Sequence, residues 1–282
     1  RLALVDRRPE QIGALLLTHE HVDHACGAVA ASARWNWPVF ASQGTLDALT
    51  GSGVGCPPSA TAMAQDGASS TLCGFTVETI AVPHDARACV ALIVCDRASG
   101  ARVGIALDVG HVPETLPPAL ARCDILVVES NHDERMLANG PYPWPLKQRI
   151  GGGLGHLSNG AAATLIAGAS HRGLRGVLLA HLSETNNTPD TAIARTREAL
   201  RRAGWRRDTL WAASQSVPCG LIGADGSTRA RLWQIDAGAV SAGAYGPCVN
   251  LPQACARRRG TLPQRHRVLR RSPTESRRAR CG

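Results

Sequence analysis

The sequence predicts a layered α/β fold, and three observations carry that expectation. Short apolar runs bounded by turn residues alternate with segments of helical length, which is the pattern of strands packed against helices. Apolar residues make up 44% of the chain and charged residues 19%, which excludes a wholly disordered polymer. At 282 residues, the chain is long enough for one large domain or two small ones with a sizeable core.

The elements follow in order. Leu15-Leu16-Leu17-Thr18 reads as a short buried strand and Ala25–Arg34 as the helix after it. Val39-Phe40-Ala41 is a second short strand, and Thr50–Ser70, rich in Gly, Pro, Ser and Ala, reads as a loop or loosely structured insert. Phe75–Val82 alternates apolar and polar residues as a half-buried strand does. Cys89–Cys95 and Arg102–Leu107 flank the turn signal Ala98-Ser99-Gly100 and predict a hairpin. Ile125–Val128 and Val177–Leu179 are further buried strands, with helices over Gly160–Ala169 and Thr191–Ala203.

The net charge of +9 is not spread evenly. Residues 1–222 hold 18 Arg, one Lys and 19 acidic groups and so are neutral, while residues 223–282 hold 12 Arg and three acids. The basic character belongs to the second segment, where Arg257-Arg258-Arg259, Arg270-Arg271 and Arg277-Arg278 sit among Pro, Ser and Gly without periodicity. We therefore expect a domain over 1–222 and a disordered or aberrant basic tail over 223–282. None of the ten cysteines forms a C-x-x-C pair, so scattered reduced thiols are expected rather than staples or thiolate metal sites. No apolar run approaches the ~18 residues needed to span a bilayer. The chain opens at Arg1 with no basic-then-apolar leader, so no signal peptide is expected, and the scattered reduced thiols suit a cytoplasmic protein.

The informative stretch is Thr18-His19-Glu20-His21-Val22-Asp23-His24, directly after the first strand. A strand end splays His19 and His21 to one side of a loop, while Asp23 and His24 fall on the first turn of the next helix. Two sets of ligands then face two neighbouring positions, and imidazole with carboxylate suits zinc, manganese or iron. A polar loop with incidental histidines is the blander alternative, but a solvated loop has no reason to show this H-x-H-x-D-H order after a buried strand.

These residues resemble the metallo-β-lactamase fold superfamily, whose members are four-layer αββα sandwiches with a dinuclear metal site at one edge of the sheets. His84, Asp108 and His181, each at a strand end, match the family's remaining ligands in order. The resemblance implies one divalent ion (Zn or Mn) on His19, His21 and His84, and a second on Asp23, His24 and His181. Asp108 would bridge the two. Four segments, Glu129-Ser130-Asn131-His132-Asp133, Gly140-Pro141-Tyr142-Pro143-Trp144-Pro145-Leu146-Lys147, Gly155-His156-Leu157-Ser158-Asn159 and Ala180–Asn187, resemble the YycJ/WalJ-like branch. Its members are bacterial cytoplasmic nucleases described as 5′→3′ DNA exonucleases.

The resemblance implies a DNA substrate, with self-association into a homodimer as a further expectation. Two metals ~3.5–4 Å apart generate hydroxide at neutral pH and stabilise an in-line phosphoryl displacement. Asp23 or Asp108 would orient that hydroxide. Glu129 and His156 are the candidates for protonating the leaving oxygen, because tRNA-processing enzymes of this fold use a comparable couple. Ser158, Asn159 and Ser183 are candidate donors to phosphate oxygens, and Lys147 or Arg149 a candidate neutralising charge. His111 is expected behind a ligand and His171 at the surface; His132 has no assigned role.

The family places several tens of residues before its H-x-H-x-D-H loop, whereas 18 residues precede His19. The first strands of the N-terminal sheet are therefore expected to be missing, leaving an unpaired edge. Two other readings compete with a nuclease. One is a small-molecule hydrolase of the same fold acting on a cyclic phosphodiester or thioester. The other is a non-catalytic nucleic-acid binder working through the basic tail.

Overall fold

Two β-sheets grow out of the apolar runs, in a computed structural model that describes residues 2–5, 7–52, 55–63, 66–67, 69–215, 221–222 and 228–229. Short 3₁₀ turns at Leu2–Val5 and Pro9–Gln11 lead into β1 (Leu15–Leu16), α1 (Val22–Ala25), α2 (Ala28–Trp35), β2 (Val39–Ser42), α3 (Gln43–Gly51) and β3 (Ala60–Met63). The antiparallel strands β4 (Ser69–Leu72), β5 (Phe75–Ala81), β6 (Val90–Asp96) and β7 (Arg102–Ala106) come next. Then follow α4 (Leu116–Leu120), β8 (Ile125–Glu129), α5 (Glu134–Asn139), α6 (Trp144–Ile150), α7 (Asn159–Ala169), β9 (Gly176–Ala180), α8 (Pro189–Arg202) and β10 (Leu210–Ala212). A last pair, β11 (Leu221–Ile222) and β12 (Thr228–Arg229), is antiparallel.

β1, β2 and β3 form a parallel sheet with Leu15 opposite Val39 and Val39 opposite Ala60. The larger sheet has seven strands in the order β10-β9-β8-β7-β6-β5-β4, parallel from β10 to β7 and antiparallel from β7 to β4. Side chains alternate between faces along each strand. In the small sheet, Val39 and Ala41 turn outward and pack with Ala25, Ala28, Leu46 and Leu49 of α1, α2 and α3. Leu16, Phe40 and Met63 turn inward against Val77, Val90, Leu92 and Ile105 of the larger sheet. The far face of that sheet packs Ile93, Ala106, Leu126 and Leu179 against Leu120 of α4, Ile166 of α7 and Leu200 of α8. The layers run α, β, β, α, as expected.

Local chemistry sets the helix starts. Ser42, Asp133, Ser158 and Thr188 cap α3, α5, α7 and α8 by accepting from backbone N–H groups of the first turn. Pro145 and Pro189 sit within the first two positions of α6 and α8, where a missing N–H costs nothing.

The predicted strands are found within a residue or two, and the 89–107 hairpin forms with Cys95 opposite Arg102. One expectation is overturned. The segment 50–70 is not simply a loop, because Ala60–Met63 pairs in parallel with β2. Ala-Thr-Ala-Met has little strand signal of its own, and its pairing comes from the neighbouring strand. None of the six described cysteines is in a disulfide, and no described helix is long and apolar enough to cross a membrane. The basic segment 223–282 lies outside the described residues apart from Thr228–Arg229, whose pairing with β11 crosses the expected boundary at 222. β1 is an edge strand of only two residues. Beside it lies a cleft of about 280 Å³ lined by Leu16, Leu72, Phe75, Val77 and Val94.

Candidate metal centre

The strand directions gather the predicted residues at one place. β7, β8 and β9 are parallel, and β5, separated from β7 by the antiparallel β6, runs the same way. Their C-terminal ends therefore share one edge, where ligands collect in sheets of this kind. His84 follows β5, Asp108 follows β7, Glu129 ends β8 and His181 follows β9. The small sheet adds the loop after β1, with His24 on α1.

Asp108 stands at the centre of the cluster. One carboxylate oxygen, Oδ2, is 2.8 Å from His24 Nε2; the other, Oδ1, is 3.1 Å from His181 Nδ1 and 3.1 Å from His156 Nδ1. His84 donates through Nδ1 to the Gly155 carbonyl at 3.0 Å, which leaves its Nε2 lone pair turned inward, 3.3 Å from His21 Nδ1. His181 Nε2 lies 3.5 Å from Asp23 Oδ2. The Thr18 hydroxyl sits 3.1 Å from His19 Nδ1 and 3.3 Å from His24 Nδ1, steering both rings from behind. His19 is fully buried, and its Nε2 makes no hydrogen bond.

Atoms suited to ligation converge in four groups, each within 4.8 Å: His19, His21 and His84; His19, His24 and Asp108; Asp23, His24 and His181; and Asp108, Glu129, His156 and His181. The first and third coincide with the two expected ligand sets, and Asp108 lies where a bridge is expected. Buried imidazole nitrogens without partners beside ionised carboxylates suit divalent cations of borderline softness. The donor set fits a metal.

Two of these residues have left-handed backbones, Asp108 at φ 56° and His181 at φ 54°. Such conformations cost about 1–3 kcal/mol and persist only where surroundings enforce them. Here the enforcement is visible. Asn131 Nδ2 donates to the His181 carbonyl at 3.1 Å, and Val109 N–H, next to Asp108, donates to Glu129 Oε1 at 2.7 Å.

Charge is strongly organised in the metal-free cluster. Burial opposes ionisation of Asp108, but hydrogen bonds from His156 and His24 outweigh it and hold the carboxylate well below its usual range. Glu129 is likewise lowered, burial being outweighed by His156 and His181. Burial and the neighbouring His24 push the His19 imidazole down to about 3. His156 and His181 move the other way. Burial pulls each down, yet bonds to Asp108 and Glu129 raise His156 to about 9, and bonds to Asp23 and Glu129 raise His181 to about 10.

Glu129, fully buried, is the support of the site. Oε1 accepts from Val109 N–H and from Leu157 N–H at 2.9 Å, and Oε2 lies 3.2 Å from His156 Nδ1. The chain beyond it, Ser130–Asp133, continues as a spine. Ser130 N–H donates to Ala180 O, Asn131 N–H to Leu157 O, and Asn159 N–H to His132 O, while Ser183 N–H returns to Asn131 O. One stretch thereby registers the His156 loop and the His181 loop against each other.

Two of the expected phosphate donors, Ser158 and Asn159, are engaged elsewhere. Ser158 caps α7 and donates to Glu134 Oε1 at 2.6 Å. Asn159 is buried, exchanging hydrogen bonds with the Asn187 amide in both directions and accepting from Ser130. The structure gives both a supporting role, because a buried amide must satisfy its own donors and acceptors. Lys147 Nζ donates to Ala138 O at 2.7 Å, Ser183 Oγ accepts from Asn186 N–H at 3.1 Å, and Arg149 Nε pairs with Asp85 Oδ2 at 2.6 Å. His111 donates to Gly153 O. His171 is not a free surface residue, since it donates to Cys123 O and accepts from Gly173 N–H. His132 is buried with an unpartnered Nδ1. Asp85, Asn131 and Asn187 were not anticipated; Asp85, 3.3 Å from His84 Nε2, was signalled only by its place after His84.

Residues 2–182 match the model of the Beta-lactamase superfamily domain. The chain belongs to this superfamily. The exodeoxyribonuclease YycJ of Bacillus anthracis is 29% identical over 194 residues, covering 69% of this chain and 73% of that protein. The exodeoxyribonuclease WalJ of Streptococcus pneumoniae is 30% identical over 195 residues, covering 68% and 71%. Among solved structures, Zn(2+)-bound PqqB from Methylobacterium extorquens superposes with a TM-score of 0.55 at 18% identity, covering 74% of this chain and 73% of that one. The superfamily's αββα architecture is the one found here, and this protein is a metal-dependent hydrolase of that superfamily.

Proposed function

We propose that the protein is a dinuclear phosphodiesterase that removes nucleotides from the 5′ end of DNA. The observation that carries this reading is Asp108 set between the two histidine groups, with the Glu129–His156 couple at its open side. The exodeoxyribonuclease relatives supply the substrate class. Zinc or manganese, bound by His19, His21 and His84 and by Asp23, His24 and His181 with Asp108 shared, would supply a nucleophile at neutral pH and offset phosphoryl charge. The chain's own residues do the rest. Asp108 and Asp23 orient the attacking group by accepting its hydrogen bonds. His156, gripped at Nδ1 by Glu129 and Asp108, gives the proton on Nε2 to the leaving oxygen. Glu129 acts through that imidazole, since its own oxygens are occupied. A cytoplasmic location accompanies this reading.

Nucleotide release from a 5′-phosphorylated, end-labelled duplex with manganese tests it. Stepwise release from the 5′ end, lost in Asp108→Ala, is expected; release from the 3′ end or internal cleavage overturns the polarity. A second reading draws on the charge balance of residues 1–222, whose 18 Arg and one Lys are matched by 19 acidic groups and give no net attraction for a long phosphate backbone. On that reading the substrate is a cyclic phosphodiester or a thioester, and turnover of either without DNA cleavage would establish it.

A further inference from the structure

Five large apolar side chains are exposed among the described residues, and the three most exposed belong to the segments that build the metal centre. Val22, 50% exposed, stands between His21 and Asp23. Leu154, 56% exposed, accepts the Asp85 N–H on its carbonyl, while the next carbonyl, of Gly155, holds His84. Trp144, 68% exposed, opens α6. The other end of α6 is fastened to the centre by Arg149 on Asp85 and by Ile150 O, which accepts from His156 N–H at 2.9 Å. Scattered apolar residues on a surface need no explanation, but the three most exposed falling on the segments that build a charged, buried centre do.

Trp144 is also held ready. Pro143 precedes it as the N-cap and Pro145 follows it, so the backbone that presents the indole has little freedom to lose on binding. Lys147, three residues on, shares its face of the helix and keeps its cation close by through the bond to Ala138 O. An exposed indole beside a cation is the pairing that single-stranded nucleic acid uses, base on ring and phosphate on charge. The five steps from Trp144 to Arg149 rise about 7.5 Å along the helix, at 1.5 Å each.

We propose that Trp144 is a stacking platform for a nucleobase of a DNA end. The choice of ligand rests on the phosphodiesterase reading above. Every base offers a π-face, so the subsite is indifferent to sequence.

The test measures binding without cleavage. A fluorescein-labelled, hydrolysis-resistant phosphorothioate single strand is titrated against the full metal-loaded chain and its Trp144→Ala and Trp144→Phe variants. The same titration is repeated with strands carrying an abasic residue at each of the first few 5′ positions. Truncating so exposed a side chain uncovers no core. Trp144→Ala should weaken binding about ten-fold, Trp144→Phe should recover most of it, and at one abasic position wild type and Trp144→Ala should bind alike. Equal binding by wild type and Trp144→Ala, an equal loss on every abasic strand, or no binding by wild type overturns the platform. Binding that depends on Trp144 without any DNA cleavage supports the platform and refutes the phosphodiesterase reading. Cleavage indifferent to Trp144 does the reverse.

Discussion

Asp108 concentrates the demands of the site on one residue. It is buried, left-handed, ionised, and shared by three imidazoles, so its loss should be felt by both metal positions. Asp108→Ala is expected to lower bound metal, measured by elemental analysis, and to abolish cleavage; an active variant would remove it from the bridging position. His156→Ala should retain both metals and slow turnover mainly on poor leaving groups, whereas loss of both metals would make His156 a ligand. Asn131→Ala strips the His181 carbonyl of its donor. We expect about ten-fold weaker metal binding with the fold intact, read by competition with a chromophoric chelator, since outer partners of ligands carry effects of about that size. The histidines and Asp108 were legible because few residue types bind metals and their order along the chain survives folding. Asn159 was misread because a polar residue in a motif looks the same whether it faces substrate or core. Only the reciprocal amide pair with Asn187 settles it, and no spacing rule encodes that pair.

At the scale of elements, what matters is how the loops are tied. The loop after α6 packs its backbone directly on Gly110, where an added Cβ would fall on Gly153 O and Leu154 Cα. Gly110→Ala forces these apart just beyond Asp108. It should cost about 1–3 kcal/mol in thermal unfolding, the usual penalty of overpacking, and loosen metal binding. A variant as stable as the parent would show that this loop yields freely. Strands with apolar alternation, such as β5 and β6, could be read directly, as could the hairpin joining β6 and β7. β3 and the short helices α4, α5 and α6 could not. Ala60–Met63 owes its strand to β2, and α6 opens on Pro143 and Pro145, at a helix start where proline is tolerated.

For the whole molecule, crowding these charges in one cavity sets how stability answers to pH. In the metal-free protein, Glu129 is lowered from 4.5, so its stabilisation is present above that pH and lost as pH falls. His156 and His181 are raised from 6.5 to about 9 and about 10, so theirs is complete below 6.5 and lost as pH rises through those values. Buried His19, lowered from 6.5 to about 3, acts oppositely, its contribution complete above 6.5 and lost as pH falls, so chelator-treated protein should melt highest at about pH 6.5. Metal should shift the optimum upward, because it displaces those protons. A melting temperature of the chelated form that climbs from neutral to alkaline pH would contradict this. The layered architecture was legible from alternation and burial alone, but the gathering of four strand ends at one edge depends on sheet order, which local sequence does not state. The spine Ser130–Asp133 registers the two histidine loops from behind, whereas Gly140 to Gly155 approaches the cavity from in front. That same front stretch grips His84 through Gly155 O and His156 through Ile150 O, so replacing it would disturb the mouth and the chemistry together. What the protein accepts and how it reacts are thus written in one shared piece of chain, and a change that widens the first is paid in the second.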